Sequence, residues 1–210
     1  KTAAFGLPII DRIIREGDFA EKNKFNKPSK KLSASEESGK TQALIICPTR
    51  ELCIQIANDC KKFAKYVPLL KIVPVYGGAS IETQIKELKK GADIVVATPG
   101  RLIDLLDRKK VRLEEVKYLV LDEADEMLNM GFQEDLDNIF TRTPSEKNIY
   151  MFSATMPKEV EQIASNYIDN PIKIQIGERN QGSENVKHFY YLVHQKDRYL
   201  ALKRIADYYP

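Results

Sequence analysis

The stretch Leu119-Val120-Leu121-Asp122-Glu123-Ala124-Asp125 decides how this chain is read. An apolar run of strand length ends in a pair of carboxylates, and open α/β sheets bind their ligands at that end of their strands. A nucleotide hydrolase needs two acids there. One carboxylate holds Mg²⁺, usually through water, and its neighbour orients the attacking water. By average composition the tetrapeptide Asp122 to Asp125 arises by chance in roughly one chain of this length in a few hundred, so a solvated acidic turn is the weaker reading.

Working outward, five-residue apolar runs alternate with segments of helical period from residue 43 onward, the pattern of a parallel sheet covered by helices on both faces. Strands are expected at Ala43 to Cys47, Lys71 to Val75, Asp93 to Ala97, Tyr118 to Leu121, Ile149 to Phe152 and Ile172 to Ile176. Helices are expected at Arg50 to Tyr66, Ile81 to Lys90, Gly100 to Asp107, Gln133 to Thr141 and Lys158 to Tyr167. Ala3 to Arg15 reads as a helix interrupted by Pro8. Gly17 to Lys40 is rich in Lys, Ser and Asn and has no period, which fits a solvated insertion or an accessory RNA-contacting loop.

The 210 residues include 33 Lys or Arg and 30 Asp or Glu, a net charge of +3. Near-balance excludes a polycation, so any nucleic-acid surface must be a local patch. With 43% hydrophobic residues the chain can bury a core, which excludes collagen-like, mucin-like and wholly disordered classes. At about 150 residues per domain the length suggests one domain and part of another. No apolar run reaches the ~20 residues of a membrane helix. The chain begins at Lys1 without methionine or leader and reads as an internal fragment. Cys47, Cys53 and Cys60 form no CxxC pair and read as buried residues of a reducing compartment, with a cytoplasmic location expected. His188 and His194 are assigned no chemistry.

A carboxylate pair of this kind needs a phosphate loop, and there are two candidates. Ala34-Ser35-Glu36-Glu37-Ser38-Gly39-Lys40-Thr41 fits a relaxed pattern, but a strand follows it where a helix should open, and Glu36 and Glu37 would repel phosphate. Lys1-Thr2 stands directly before a helix, where the lysine would reach the β and γ phosphates and the threonine would ligate Mg²⁺.

Pro48-Thr49-Arg50-Glu51-Leu52, Gly77-Gly78, Thr98-Pro99-Gly100-Arg101 and Ser153-Ala154-Thr155 accompany the acidic stretch. With these five motifs in order, the sequence resembles the first helicase domain of a DEAD-box ATP-dependent RNA helicase over Lys1 to about Gly177. The resemblance implies a RecA-like α/β domain at 1–177, with 17–40 an insertion. A linker follows at 178–185, and 186–210 opens a second RecA-like domain whose remainder is missing. It implies ATP and Mg²⁺ as cofactors, with Lys1 and Thr2 ending the phosphate loop. Thr2 and Asp122 stand on the metal side, Glu123 positions the hydrolytic water, and Ser153 and Thr155 couple nucleotide state to unwinding. Thr49, Arg50, Gly78, Thr98 and Arg101 are implied to hold the RNA backbone.

The residues agree in kind with that last implication. Each of these turns follows a strand, and glycine backbone, hydroxyl and guanidinium groups bind phosphate without reading bases. The expected activity is RNA-stimulated ATP hydrolysis coupled to unwinding of short duplexes, sequence-independent, by a monomer with no membrane partner. The fragment alone is expected to be inactive. A non-catalytic RNA-binding scaffold and a DNA helicase or translocase are the other classes.

Overall fold

The computed structural model describes residues 1–16, 40–168, 170–176, 187 and 189–209. The insertion 17–40 therefore lies outside the described residues except for Lys40, and so does the expected linker 178–185. The chain divides into two units, Lys1–Pro171 and Ile172–Pro210.

The first unit carries α1 (Thr2–Glu16), β1 (Ala43–Ile46), α2 (Arg50–Phe63), β2 (Ile72–Val75), α3 (Ile81–Lys89), β3 (Ile94–Ala97) and α4 (Pro99–Asp107). It continues with β4 (Tyr118–Asp122), α5 (Ala124–Asn129), α6 (Gln133–Thr141), β5 (Asn148–Phe152) and α7 (Lys158–Tyr167). The strands form one five-stranded parallel sheet in the order β2-β3-β1-β4-β5. Because side chains alternate along a strand, each strand feeds two cores. Leu44, Ile46, Val95, Leu119 and Leu121 pack with α3 to α7 on one face. Ala43, Ile45, Ile94, Val96 and Val120 pack with α1 and α2 on the other.

Two expectations are corrected. Pro8 does not interrupt α1, which runs unbroken through it. The bond lost to Pro8 is the one its N–H would make to the Ala4 carbonyl, and both residues are exposed, so water satisfies that carbonyl. The buried stripe Phe5, Ile9, Ile10 and Ile13 holds the helix to the sheet regardless. The second correction is the strand expected at Ile172 to Ile176. Among the described residues that segment joins no sheet, and Ile172, Ile174 and Ile176 are exposed.

The second unit, taken by itself, contains a 3₁₀ turn (Gln195–Asp197) and α8 (Arg198–Tyr208). Its aromatic residues meet at Tyr209, which stacks on Phe189 and receives an edge contact from Tyr208.

Candidate active site and nucleic-acid interface

β4 ends at Asp122, buried between β1 and β5. Its Oδ1 accepts the Glu123 N–H at 3.0 Å. Burial pushes the Asp122 carboxyl above its ordinary range, opposed by the nearby Lys1 ammonium and by that N–H. Lys1 and Thr2, at the start of α1, thus stand on the same side of the sheet as the acid pair. At Glu123 the backbone turns into the left-handed region, φ 55° and ψ 51°, before α5 begins. For a non-glycine residue that conformation costs about 1–2 kcal/mol, and it turns the chain sharply out of the strand into the helix.

Asp125 is the second residue of α5 and is tied to the segment after β5. Its backbone N–H donates to Ser153 Oγ at 3.3 Å. Its Oδ2 accepts both the Thr155 N–H at 2.9 Å and the Thr155 hydroxyl at 2.7 Å. Burial alone would raise this carboxyl, but the bonds from Thr155 and Ser153 outweigh it and hold it down at about 2. Asp125 was quoted in the motif without a role, and only the fold reveals that it is the residue joining the acidic stretch to Ser153 and Thr155.

The remaining motifs follow β1, β2 and β3, which are adjacent in the sheet. Thr49 caps α2, its hydroxyl accepting the Leu52 N–H at 3.2 Å. Arg50 extends over the Gly77-Gly78 turn, where Gly78 has φ 76° and a β-carbon would sit 2.8 Å from Arg50 Nη1. The backbone angle is what favours glycine there, since the Arg50 tip could swing aside for a β-carbon. Thr98 precedes α4, with its N–H on the Val75 carbonyl at 2.9 Å and its hydroxyl making no cap bond. Arg101 Nη1 donates to the Ala79 carbonyl at 3.1 Å and to Gln84 Oε1 at 3.3 Å.

Arg50, Gly78 and Arg101 therefore form one cluster over the ends of β2 and β3. Thr49 and Thr98 spend their recorded contacts on helix starts and strand ends. Gln84 escaped the sequence reading. Its signal was a polar residue one turn before buried Leu88, on the inward stripe of α3.

Of the alternative phosphate loop only Lys40 and Thr41 are described. Thr41 is buried and donates to the Ala92 carbonyl at 3.1 Å, and Lys40 pairs with Glu115 at 2.5 Å. Both stand before β1, at the opposite end of the sheet from Asp122; residues 34–39 lie outside the described residues. A polar cleft of about 360 Å³ lies at that same far end, lined by Arg12, Glu16, Lys117 and Tyr118 among others. One of its two carboxylates, Glu16, is already engaged by the Tyr118 hydroxyl at 3.0 Å, and Glu146 is the other. The cysteines are buried as expected. Burial pushes the Cys60 thiol to about 12, and Cys47 is raised by the adjacent Cys53 thiol and by burial.

Among described residues no group of three acidic, histidine or cysteine side chains could cage a metal ion. Mg²⁺ needs no cage, since it keeps its waters and takes one or two carboxylates with substrate phosphates, and Asp122 fits that demand.

Known proteins share this arrangement. The chain is 38% identical over 207 residues to the DEAD-box ATP-dependent RNA helicase CshA of Bacillus licheniformis, covering 99% of this chain and 38% of that protein. It is 40% identical to CshA of Streptococcus pneumoniae serotype 4, again over 99% of this chain and 35% of the relative. The chain thus spans well under half of the curated relatives it matches. Among solved structures, the yeast DEAD-box splicing factor Prp28 superposes with a TM-score of 0.73 at 34% identity, covering 98% of this chain and 45% of that one. A hypothetical ATP-dependent RNA helicase from Sulfolobus tokodaii superposes with a TM-score of 0.63 at 33% identity, covering 80% and 42%. The sheet with its flanking helices is accordingly the RecA-like domain of DEAD-box helicases. A profile of the DEAD/DEAH box helicases matches residues 1–163, which take in the acid pair, the turns after β1 to β3 and the segment bonded to Asp125, and the chain belongs to that family.

Proposed function

We propose that this chain is the ATP-binding domain, with the opening of the second helicase domain, of an RNA-stimulated ATPase that separates short RNA duplexes without regard to sequence. The observation that carries the reading is the sorting of the strand ends. The acid pair lies at the end of β4, and phosphate-binding groups cluster beside it after β1, β2 and β3.

In this reading Lys1 contacts the β and γ phosphates, and Thr2 and Asp122 hold Mg²⁺ with its waters. Bound with ATP, the ion neutralises charge on the transferred phosphoryl group. Glu123, aimed by its left-handed backbone, accepts a hydrogen bond from the attacking water and aligns it. Thr49, Arg50, Gly78, Thr98 and Arg101 hold one RNA strand by its phosphates, so binding falls as salt rises. Asp125, bonded to Ser153 and Thr155, transmits the state of the nucleotide toward the second domain. Residues 1–177 form the ATP-binding domain, 178–185 the linker and 186–210 the start of the next domain, in a monomeric cytoplasmic protein.

ATP hydrolysis by the protein containing both helicase domains, measured with RNA, with DNA and with neither, tests the proposal. Selective stimulation by RNA is expected, through contacts to the 2′-OH. Stimulation by DNA would make it a DNA translocase, and RNA binding without turnover a scaffold. Glu123→Gln should abolish turnover and leave ATP binding intact; unchanged hydrolysis would remove Glu123 from its role. The 210 residues alone should bind ATP weakly and unwind nothing, which a strand-displacement assay checks.

A further inference from the structure

We propose that Gln84 is a positioning residue that fixes the Arg101 guanidinium for a phosphate and joins two RNA-contacting turns into one anion-binding unit. The inference rests on the RNA-binding reading above.

Gln84 is a polar side chain only 5% exposed, on the inward stripe of α3. Its Nε2 donates to the Tyr76 carbonyl at 2.9 Å, directly before Gly77-Gly78. Its Oε1 accepts from Arg101 Nη1 at 3.3 Å, and the same nitrogen donates to the Ala79 carbonyl at 3.1 Å. Both acceptors of Nη1 thus belong to the 76–79 turn or to the side chain that holds it.

A guanidinium has five N–H donors in a fixed plane. With Nη1 committed to the protein, the plane cannot swing, and the edge formed by Nε and Nη2 has no hydrogen bond among the described residues. That edge has the two-pronged geometry that suits a phosphate. A carboxamide serves here because it donates to a carbonyl and accepts from a cation at once while staying neutral. A carboxylate would cancel the arginine's charge and face the Tyr76 carbonyl without a proton to give. A thioether of the same length would hold neither group.

The test is the salt dependence of RNA binding, read by fluorescence anisotropy of a labelled single-stranded oligouridylate titrated with the 210-residue chain. Each phosphate neutralised on a single strand contributes about 0.7 to the slope of log affinity against log salt. Gln84→Met and Arg101→Ala should each flatten the slope by about 0.7, and the double variant by no more than either, because the two residues make one contact. A general loss of stability would not move this slope in protein that circular dichroism finds folded. If Gln84→Met does not fold, Gln84→Glu keeps the size and the Arg101 contact, and the same flattening is expected. Arg101→Ala flattening the slope while the Gln84 variants keep the wild-type value would overturn the positioning role alone. No binding by the wild type, or a wild-type slope for Arg101→Ala, would overturn the RNA reading and this inference with it.

Discussion

The Thr155 hydroxyl and N–H both converge on one oxygen of Asp125, which makes this carboxylate the best-held acid of the site. Hydrogen bonds to a charged group are worth about 1.5–3 kcal/mol each, so Thr155→Val should cost about that much in urea unfolding at neutral pH. The acid dependence follows from the same bonds. Asp125 titrates at about 2 in the folded chain against an ordinary 3.8. Its contribution is therefore complete above about pH 3.8 and lost as pH falls through about 2. Circular dichroism from pH 6 to 1.5 should place the acid midpoint of Thr155→Val above that of the wild type. Gly78 makes an independent case. Alanine there must adopt φ 76° and displace Arg50 Nη1, so Gly78→Ala should cost about 1–2 kcal/mol and weaken RNA binding together.

Among the elements, α1 is held by packing against the preference of one of its own residues. Pro8 lies inside it, so Pro8→Ala should stabilise the chain by up to about 3 kcal/mol, checked by urea titration. Gly6 faces the opposite constraint, because a β-carbon there would meet Cys60 Sγ and the Phe63 ring at 3.3 Å; it lets α1 lie close on α2. Among the described residues, the five strands and six of the eight α-helices were legible because buried strands and amphipathic helices write their periods into the chain. α5 was not, since six residues between a strand end and a turn are too few to show a period. Ile172 to Ile176 is the converse case, a strand's alternation in a segment that is no part of the described five-stranded sheet. Asp122, Glu123, Ser153 and Thr155 stand out as motifs in the sequence, whereas Gln84 and the bonding of Asp125 to Ser153 and Thr155 do not. Their meaning lies in contacts 17 and 30 residues away.

For the whole molecule, the three cysteines report on cooperativity. None has exposed surface: Cys47 and Cys53 lie against the sheet and Cys60 faces α1 at Gly6, and the Cys47 thiol is raised by Cys53 and by burial, the Cys60 thiol by burial. Alkylation by iodoacetamide should therefore proceed only through opening of the sheet, with all three sites modified at one common rate by mass spectrometry. The strand order also sets a distance. Arg50 reaches away from β4 to the turn after β2, so the guanidinium cluster lies over β2 and β3, two to three strands from Asp122. At about 4.8 Å per strand that is about 10–14 Å, beyond the screening length of about 8 Å in physiological salt but well inside the 30 Å of dilute buffer. In the proposed function β1 therefore separates the guanidinium cluster from the acid pair. In this chain RNA and ATP should ignore one another's charge at about 0.15 M salt and repel at about 0.01 M, so that a dilute buffer would create an antagonism that physiological salt does not contain.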